Sequence, residues 1–257
     1  MESEFNPFSF KIEEREADCP KHGRQKCLAR VYEGGKAVLE PCPLCQAEAE
    51  EDERKKAAAR ADAEARARWE RSGVKPKFFP MTFSDYKAET EGQKKALAVC
   101  KAIASGESSR SAVLAGPNGT GKTMLASLAV KERGGFIYKM YEVVMMIKAS
   151  YKASAREDEM DILARLSKAP LLAIDEVGKQ FGSEAERNWL SYLIDERYEA
   201  GRPTALISNL KPMRQCSAEE KEQGLYIERY LGKDSVSRLA ECADIVFVDG
   251  RDFRRGS

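Results

Sequence analysis

Residues 116–123 read Gly-Pro-Asn-Gly-Thr-Gly-Lys-Thr: a glycine, four residues, a second glycine, then lysine and threonine. That spacing suits a phosphate group. Gly116, Gly119 and Gly121 let the backbone turn a nest of N–H donors toward one anion, and the helix leaving the loop adds its positive end. Lys122 supplies charge for β- and γ-oxygens, and the Thr123 hydroxyl is a magnesium ligand. Pro117, Asn118 and Thr120 complete the expected ATP/ADP loop. A second requirement is an acid at the end of a neighbouring strand, and Leu-Leu-Ala-Ile-Asp-Glu provides it at 171–176. Asp175 is expected to hold the magnesium through water. Glu176, directly after it, can polarise an attacking water, which points to hydrolysis rather than transfer to a bound hydroxyl. Asn209 ends a third apolar run and can hydrogen-bond that water or the γ-phosphate. Two late arginines, Arg238 and Arg254, are candidates for the guanidinium that completes many nucleotide sites; a solvated ion pair is the competing reading of each.

A second chemistry lies near the start. Cys19-Pro-Lys-His22 and Cys42-Pro-Leu-Cys45 are two pairs at the spacing that lets both members reach one tetrahedral Zn²⁺. His22 is the single histidine of the chain. Four protein ligands leave no open position for water, so the zinc is expected to be structural. Cys27 is a competing fourth ligand without a partner two residues away.

The elements that must position these groups are readable from texture. Residues 1–48 form an expected small zinc-binding module, too small to hold together by core burial alone, with two short strands around Gly34-Gly35. Residues 49–76 are rich in Ala, Arg and Glu with charges of both signs, which predicts an exposed helical linker. From 77 to 257, apolar runs alternate with amphipathic stretches, the pattern of a parallel sheet with helical crossovers. Strands are expected at Ser111–Gly116, Gly135–Met140, Ala169–Gly178, Pro203–Leu210 and Ala243–Gly250, with helices after the first three. Forty-three basic against 42 acidic residues leave a net charge of +1, so no global field favours nucleic acid or a membrane surface. No apolar run reaches the roughly 20 residues of a membrane span. A cytoplasmic protein is expected.

The order Gly-Pro-Asn-Gly-Thr-Gly-Lys-Thr, Leu-Leu-Ala-Ile-Asp-Glu, Asp-Glu-Arg-Tyr with Arg-Pro-Thr and Ser-Asn, Ser-Arg-Leu-Ala-Glu and Asp-Phe-Arg-Arg resembles the AAA+ ATPases of the DnaC and DnaI helicase-loader family. The IstB transposition ATPases are close relatives. The resemblance runs from about Phe78 to Arg255 and implies an α/β fold: an AAA+ P-loop NTPase with a parallel sheet flanked by helices. It implies that Arg238 acts in trans as an arginine finger and Arg254 in cis as a sensor; Arg197 is either functional or structural. It also implies single-stranded DNA as a partner. The stretch Ile-Lys-Ala-Ser-Tyr-Lys then offers Lys148, Tyr151 and Lys152 as phosphate contacts and a stacking ring one helical turn apart, with core packing as the other reading of Tyr151. Over the cysteine module the resemblance is looser and implies contact with a replicative ring helicase. Ile207 departs from the threonine common in the family.

The leading expectation is therefore an ATP-dependent loader that self-associates through its AAA+ domain and delivers a ring helicase to single-stranded DNA. Two rivals stand beside it. One is an IstB-like transposition helper binding duplex DNA, disfavoured by the near-neutral charge. The other is a nucleotide-sensing adaptor without hydrolysis, against which Glu176 speaks.

Overall fold

The computed structural model describes residues 10–32, 34–179 and 183–253. The chain divides into two compact units, residues 1–65 and 66–257. In the first, strands β1 (Phe10–Cys19), β2 (Gly23–Tyr32) and β3 (Ala37–Leu39) form an antiparallel sheet in that order. The β2–β3 hairpin is the pair read from the Gly-Gly turn. Strand β1 has no such signal: its residues are charged and exposed on both faces, so the period-2 apolar pattern is missing. Its ten-residue pairing with β2 is held by the backbone ladder and the tight turn at Gly23, whose φ is 68°. Helix α1 (Pro43–Arg71) contains no buried residue, as its mixed charges require.

The second unit is built around a five-stranded sheet. It contains α2 (Glu91–Ser105), β4 (Ser111–Ala115), α3 (Lys122–Arg133), β5 (Phe136–Lys139), α4 (Met140–Ser150) and α5 (Glu159–Lys168). It continues with β6 (Leu172–Asp175), α6 (Glu184–Glu199), β7 (Thr204–Ser208), α7 (Ala218–Glu222), α8 (Glu228–Leu231), α9 (Lys233–Cys242) and β8 (Ala243–Phe247). The strand order is β5-β6-β7-β4-β8 and every pairing is parallel. Parallel neighbours need helical crossovers, which cover both faces and make the strands continuously apolar. Strand alternation then divides the core. Ala112, Leu114, Ala173, Ala205 and Ile207 pack under α2 and α3, whereas Val113, Leu172, Ile174 and Leu206 pack under α4, α5 and α6.

Arg197 settles one open reading. It lies on α6 with no exposed surface, and its guanidinium donates to Thr204 Oγ1 (3.0 Å) and to the carbonyls of Leu166, Ser167, Ala169 and Pro203 at 2.6–3.0 Å. Burial, then the charges of Arg202 and Arg133, lower its pKa to about 9, which still leaves it cationic at neutral pH. The side chain ties the C-terminal carbonyls of α5 to the entry of β7 and is structural. Arg197→Met should strand these buried acceptors and lower stability by roughly 3–5 kcal/mol, read as the denaturant midpoint.

Candidate nucleotide and metal sites

Open parallel sheets bind ligands at the carboxyl ends of their strands, and here those ends carry the expected acids. Strand β4 runs into the loop 116–121. Gly116, Gly119 and Gly121 have φ of 140°, 82° and 88°, a region closed to most side chains. A Cβ on Gly121 would lie 2.3 Å from the Tyr86 ring, and one on Gly116 2.4 Å from the Val248 carbonyl. The glycines are needed for packing as well as for conformation. Lys122 opens α3, and its Nζ donates to the carbonyls of Gly116 (2.7 Å) and Pro117 (2.5 Å). Thr123, the next residue, donates its hydroxyl to Asp175 Oδ2 at 2.8 Å across the end of β7. Two hard oxygen donors thus meet beside the loop, the donor set that Mg²⁺ takes.

Glu176 follows β6 with φ of 60°, the one non-glycine residue with positive φ among those described. Its N–H donates to Asp175 Oδ1 (2.7 Å), and its carboxylate pairs with Lys139 (3.1 Å) and Lys179 (3.4 Å). Burial pushes its pKa up, but the hydrogen bond from Lys139 and the charges of Lys179 and Lys139 outweigh that, so the carboxyl stays below its ordinary value. Backbone strain of this kind is retained where the surroundings over-determine it. The loop, Lys122, Thr123, Asp175, Glu176 and Asn209 line one cleft of about 600 Å³. Ile207 lines it too, so its difference from the family pattern falls in the site and not away from it.

Other expected residues lie elsewhere. Arg238, on α9, forms an ion pair with Asp195 of α6 and sits 5.8 Å from the Tyr198 ring centroid; it does not line the cleft. Arg254 lies outside the described residues. Helix α4 stops at Ser150, whose hydroxyl bonds back to the Ile147 carbonyl at 2.7 Å and competes with continuation. Tyr151 is therefore the helix cap and Lys152 lies beyond it, so of the three expected DNA contacts only Lys148 lies within α4. Tyr151 is 63% exposed and bonds Glu159, which removes core packing as its role. A further helix, α5, separates this stretch from the Asp175 strand. Sequence reasoning missed Tyr86, Lys139 and Phe253, all of which line the cleft.

In the N-terminal unit the two knuckles converge. The ligand atoms of Cys19, His22, Cys42 and Cys45 lie within 4.8 Å of one another. Separations are 3.6 Å for Cys19–Cys45 and 3.4 Å from His22 Nδ1 to both Cys42 and Cys45. Ligands about 2.3 Å from a tetrahedral ion sit roughly 3.7 Å apart, so the cluster fits Zn²⁺. Cys27 is buried nearby but outside the cluster. Backbone N–H groups of Lys21 and His22 lower the Cys19 pKa to about 6, while hydrogen bonding to Cys42 and Cys19 helps push Cys45 up to about 12. A dication relieves that opposition. Glu48 accepts from His22 Nε2 at 3.2 Å, the outer partner that orients a ligating imidazole. Glu48→Ala should weaken zinc affinity about 10–100-fold, measured by competition with a chromophoric chelator.

A family model described as IstB-like ATP binding protein matches residues 54–255. The chain belongs to this family. The replicative helicase loader DnaC of Buchnera aphidicola subsp. Schizaphis graminum is 31% identical over 147 residues, 54% of this chain and 60% of that protein. The chain thus spans about 60% of the length of the curated helicase-loader relatives it matches. Among solved structures, the DnaC helicase loader aligns with a TM-score of 0.55 at 20% identity, covering 68% of this chain and all of that one. The replication initiator DnaA bound to AMPPCP and single-stranded DNA aligns at 0.53 and 20% identity over 69% of this chain and 51% of that one. These likenesses show the AAA+ fold. Among the described residues, no helix is long and apolar enough to cross a membrane.

Proposed function

We propose that this chain is a cytoplasmic ATPase that binds a replicative ring helicase and delivers it onto single-stranded DNA, hydrolysis regulating release. The observation that carries the reading is the hydrogen bond from Thr123 to Asp175 beside the glycine-rich loop, with anionic Glu176 next in sequence. It belongs to a chain whose relatives are named helicase loaders. Thr123 and Asp175 would hold Mg²⁺, which supplies charge neutralisation at the phosphates. Lys122 leaves its loop carbonyls for the β- and γ-oxygens of ATP, Glu176 polarises the attacking water, and Asn209 orients it. ADP is the product that the same loop retains. Arg238 reaches the site of a neighbouring subunit, and Arg254 acts in cis. Lys148, Tyr151 and Lys152 contact single-stranded DNA as an exposed cluster at the end of α4.

The division of labour follows 1–48 as a zinc-bearing helicase-binding module, 49–76 as a helical linker and 77–257 as the AAA+ domain. The test is a pull-down of the full chain against replicative helicases of candidate hosts, with and without ATP, read by the mass of the complex. Several copies per helicase ring are expected. No complex, together with turnover stimulated by duplex DNA, would overturn the loader and leave a transposition-type helper.

A further inference from the structure

The phosphate loop is gripped from outside by a side chain that no motif marks. Tyr86 follows a short turn at Phe83–Asp85, is 6% exposed, and donates its hydroxyl to the Thr120 carbonyl at 2.8 Å. Its ring lies against Gly121, where a Cβ would come within 2.3 Å of it. From the other end of the chain, the Phe253 N–H donates to the Gly119 carbonyl at 3.1 Å. The Phe253 ring meets Tyr86 edge-on, with centroids 6.3 Å apart at 71°.

These two bonds act on consecutive peptide planes. In a trans peptide the C=O and the following N–H point in opposite directions. Holding the Thr120 carbonyl on Tyr86 turns the Gly121 N–H the other way, and holding the Gly119 carbonyl on Phe253 does the same for the Thr120 N–H. A loop with three left-handed glycines is otherwise costly to order. Its anion-binding N–H groups are aimed only if something fixes their planes. Burial raises the pKa of the Tyr86 phenol, so it remains a donor at neutral pH.

We propose that Tyr86 is a positioning residue for the nucleotide: its hydroxyl and ring, closed by Phe253, hold two peptide planes of the phosphate loop in the orientation that receives the β-phosphate. The inference rests on the reading of residues 116–123 as a nucleotide loop. Tyr86 touches no reacting atom. Its removal should change nucleotide affinity and leave the chemical step intact.

The experiment uses the full chain and its Tyr86→Phe variant, titrated with ATP and with ADP by calorimetry, with kcat, KM and the nucleotide-free Tm measured alongside. Loss of one buried hydrogen bond should raise Kd for both nucleotides and KM about 3–10-fold, with kcat held. Tyr86→Leu, which also removes the ring, should weaken binding further, so that Phe is a partial rescue. A lower Tm with unchanged Kd and KM would make Tyr86 a packing residue and overturn the proposal. If the parent chain binds no nucleotide, the reading of the loop falls and this proposal with it; if the parent binds and Tyr86→Phe binds equally, only this proposal falls.

Discussion

In an assembly of this chain, Arg238→Ala is expected to lower ATP turnover by about 10³–10⁵-fold, with ATP affinity nearly unchanged. The geometry explains why the effect needs an assembly. Arg238 sits on α9, held by Asp195 and by the face of Tyr198, and is absent from the lining of its own cleft. Its side chain keeps about 30% of its surface exposed, so a neighbour can compete for it. A γ-phosphate offers a guanidinium more charge than one carboxylate does. The decisive measurement mixes Arg238→Ala subunits with Lys122→Ala subunits. The first keep an intact loop, the second keep the arginine, and mixed assemblies should regain turnover that neither has alone. Unchanged turnover in Arg238→Ala would make the residue a brace between α6 and α9; a stability loss shared with Asp195→Asn would then be its whole effect.

Which parts of the molecule were legible in advance follows from where the physics is local. The phosphate loop, Asp175 and the five strands announce themselves because glycine spacing and buried apolar runs are properties of short segments. Both zinc knuckles are legible for the same reason, each being a four-residue segment. Helix α2 escaped, although Thr90 and Gln93 form a capping box and Gly106 ends it in a left-handed conformation. Strand β1 escaped because a charged strand exposed on both faces has no alternation to detect. Tyr86 and Phe253 lie 30 or more residues from the loop carbonyls they hold, and only the folded chain brings them there. Lys139 carried one faint signal: it ends the strand that pairs with β6, directly opposite Asp175. Arg197 shows the converse, a residue of a recognisable motif whose five buried hydrogen bonds, all within its own unit, make it architecture.

Glu176→Gln should reduce turnover about 10²–10⁴-fold while ATP binding persists, because the amide keeps the volume and loses the base. The state of this carboxylate makes the prediction specific. Lys139 and Lys179 hold Glu176 anionic and below the ordinary glutamate value, so the base is ready over the whole neutral range. A base is lost when it is protonated, so kcat/KM, which reports the nucleotide-free chain, should fall only as pH drops through that depressed pKa, below the 4.5 of a free glutamate. Near pH 7 the rate should therefore be insensitive to this group. The same lysines oppose catalysis until they move, since a carboxylate engaged by two ammonium groups polarises water poorly. Entry of a triphosphate gives both lysines a stronger anion within the same cleft and releases Glu176 toward water. On the proposed reading, hydrolysis is thereby tied to occupancy of the loop. A Glu176→Gln chain that turns over ATP at the parental rate would refute this assignment and leave nucleotide as a ligand that sets conformation.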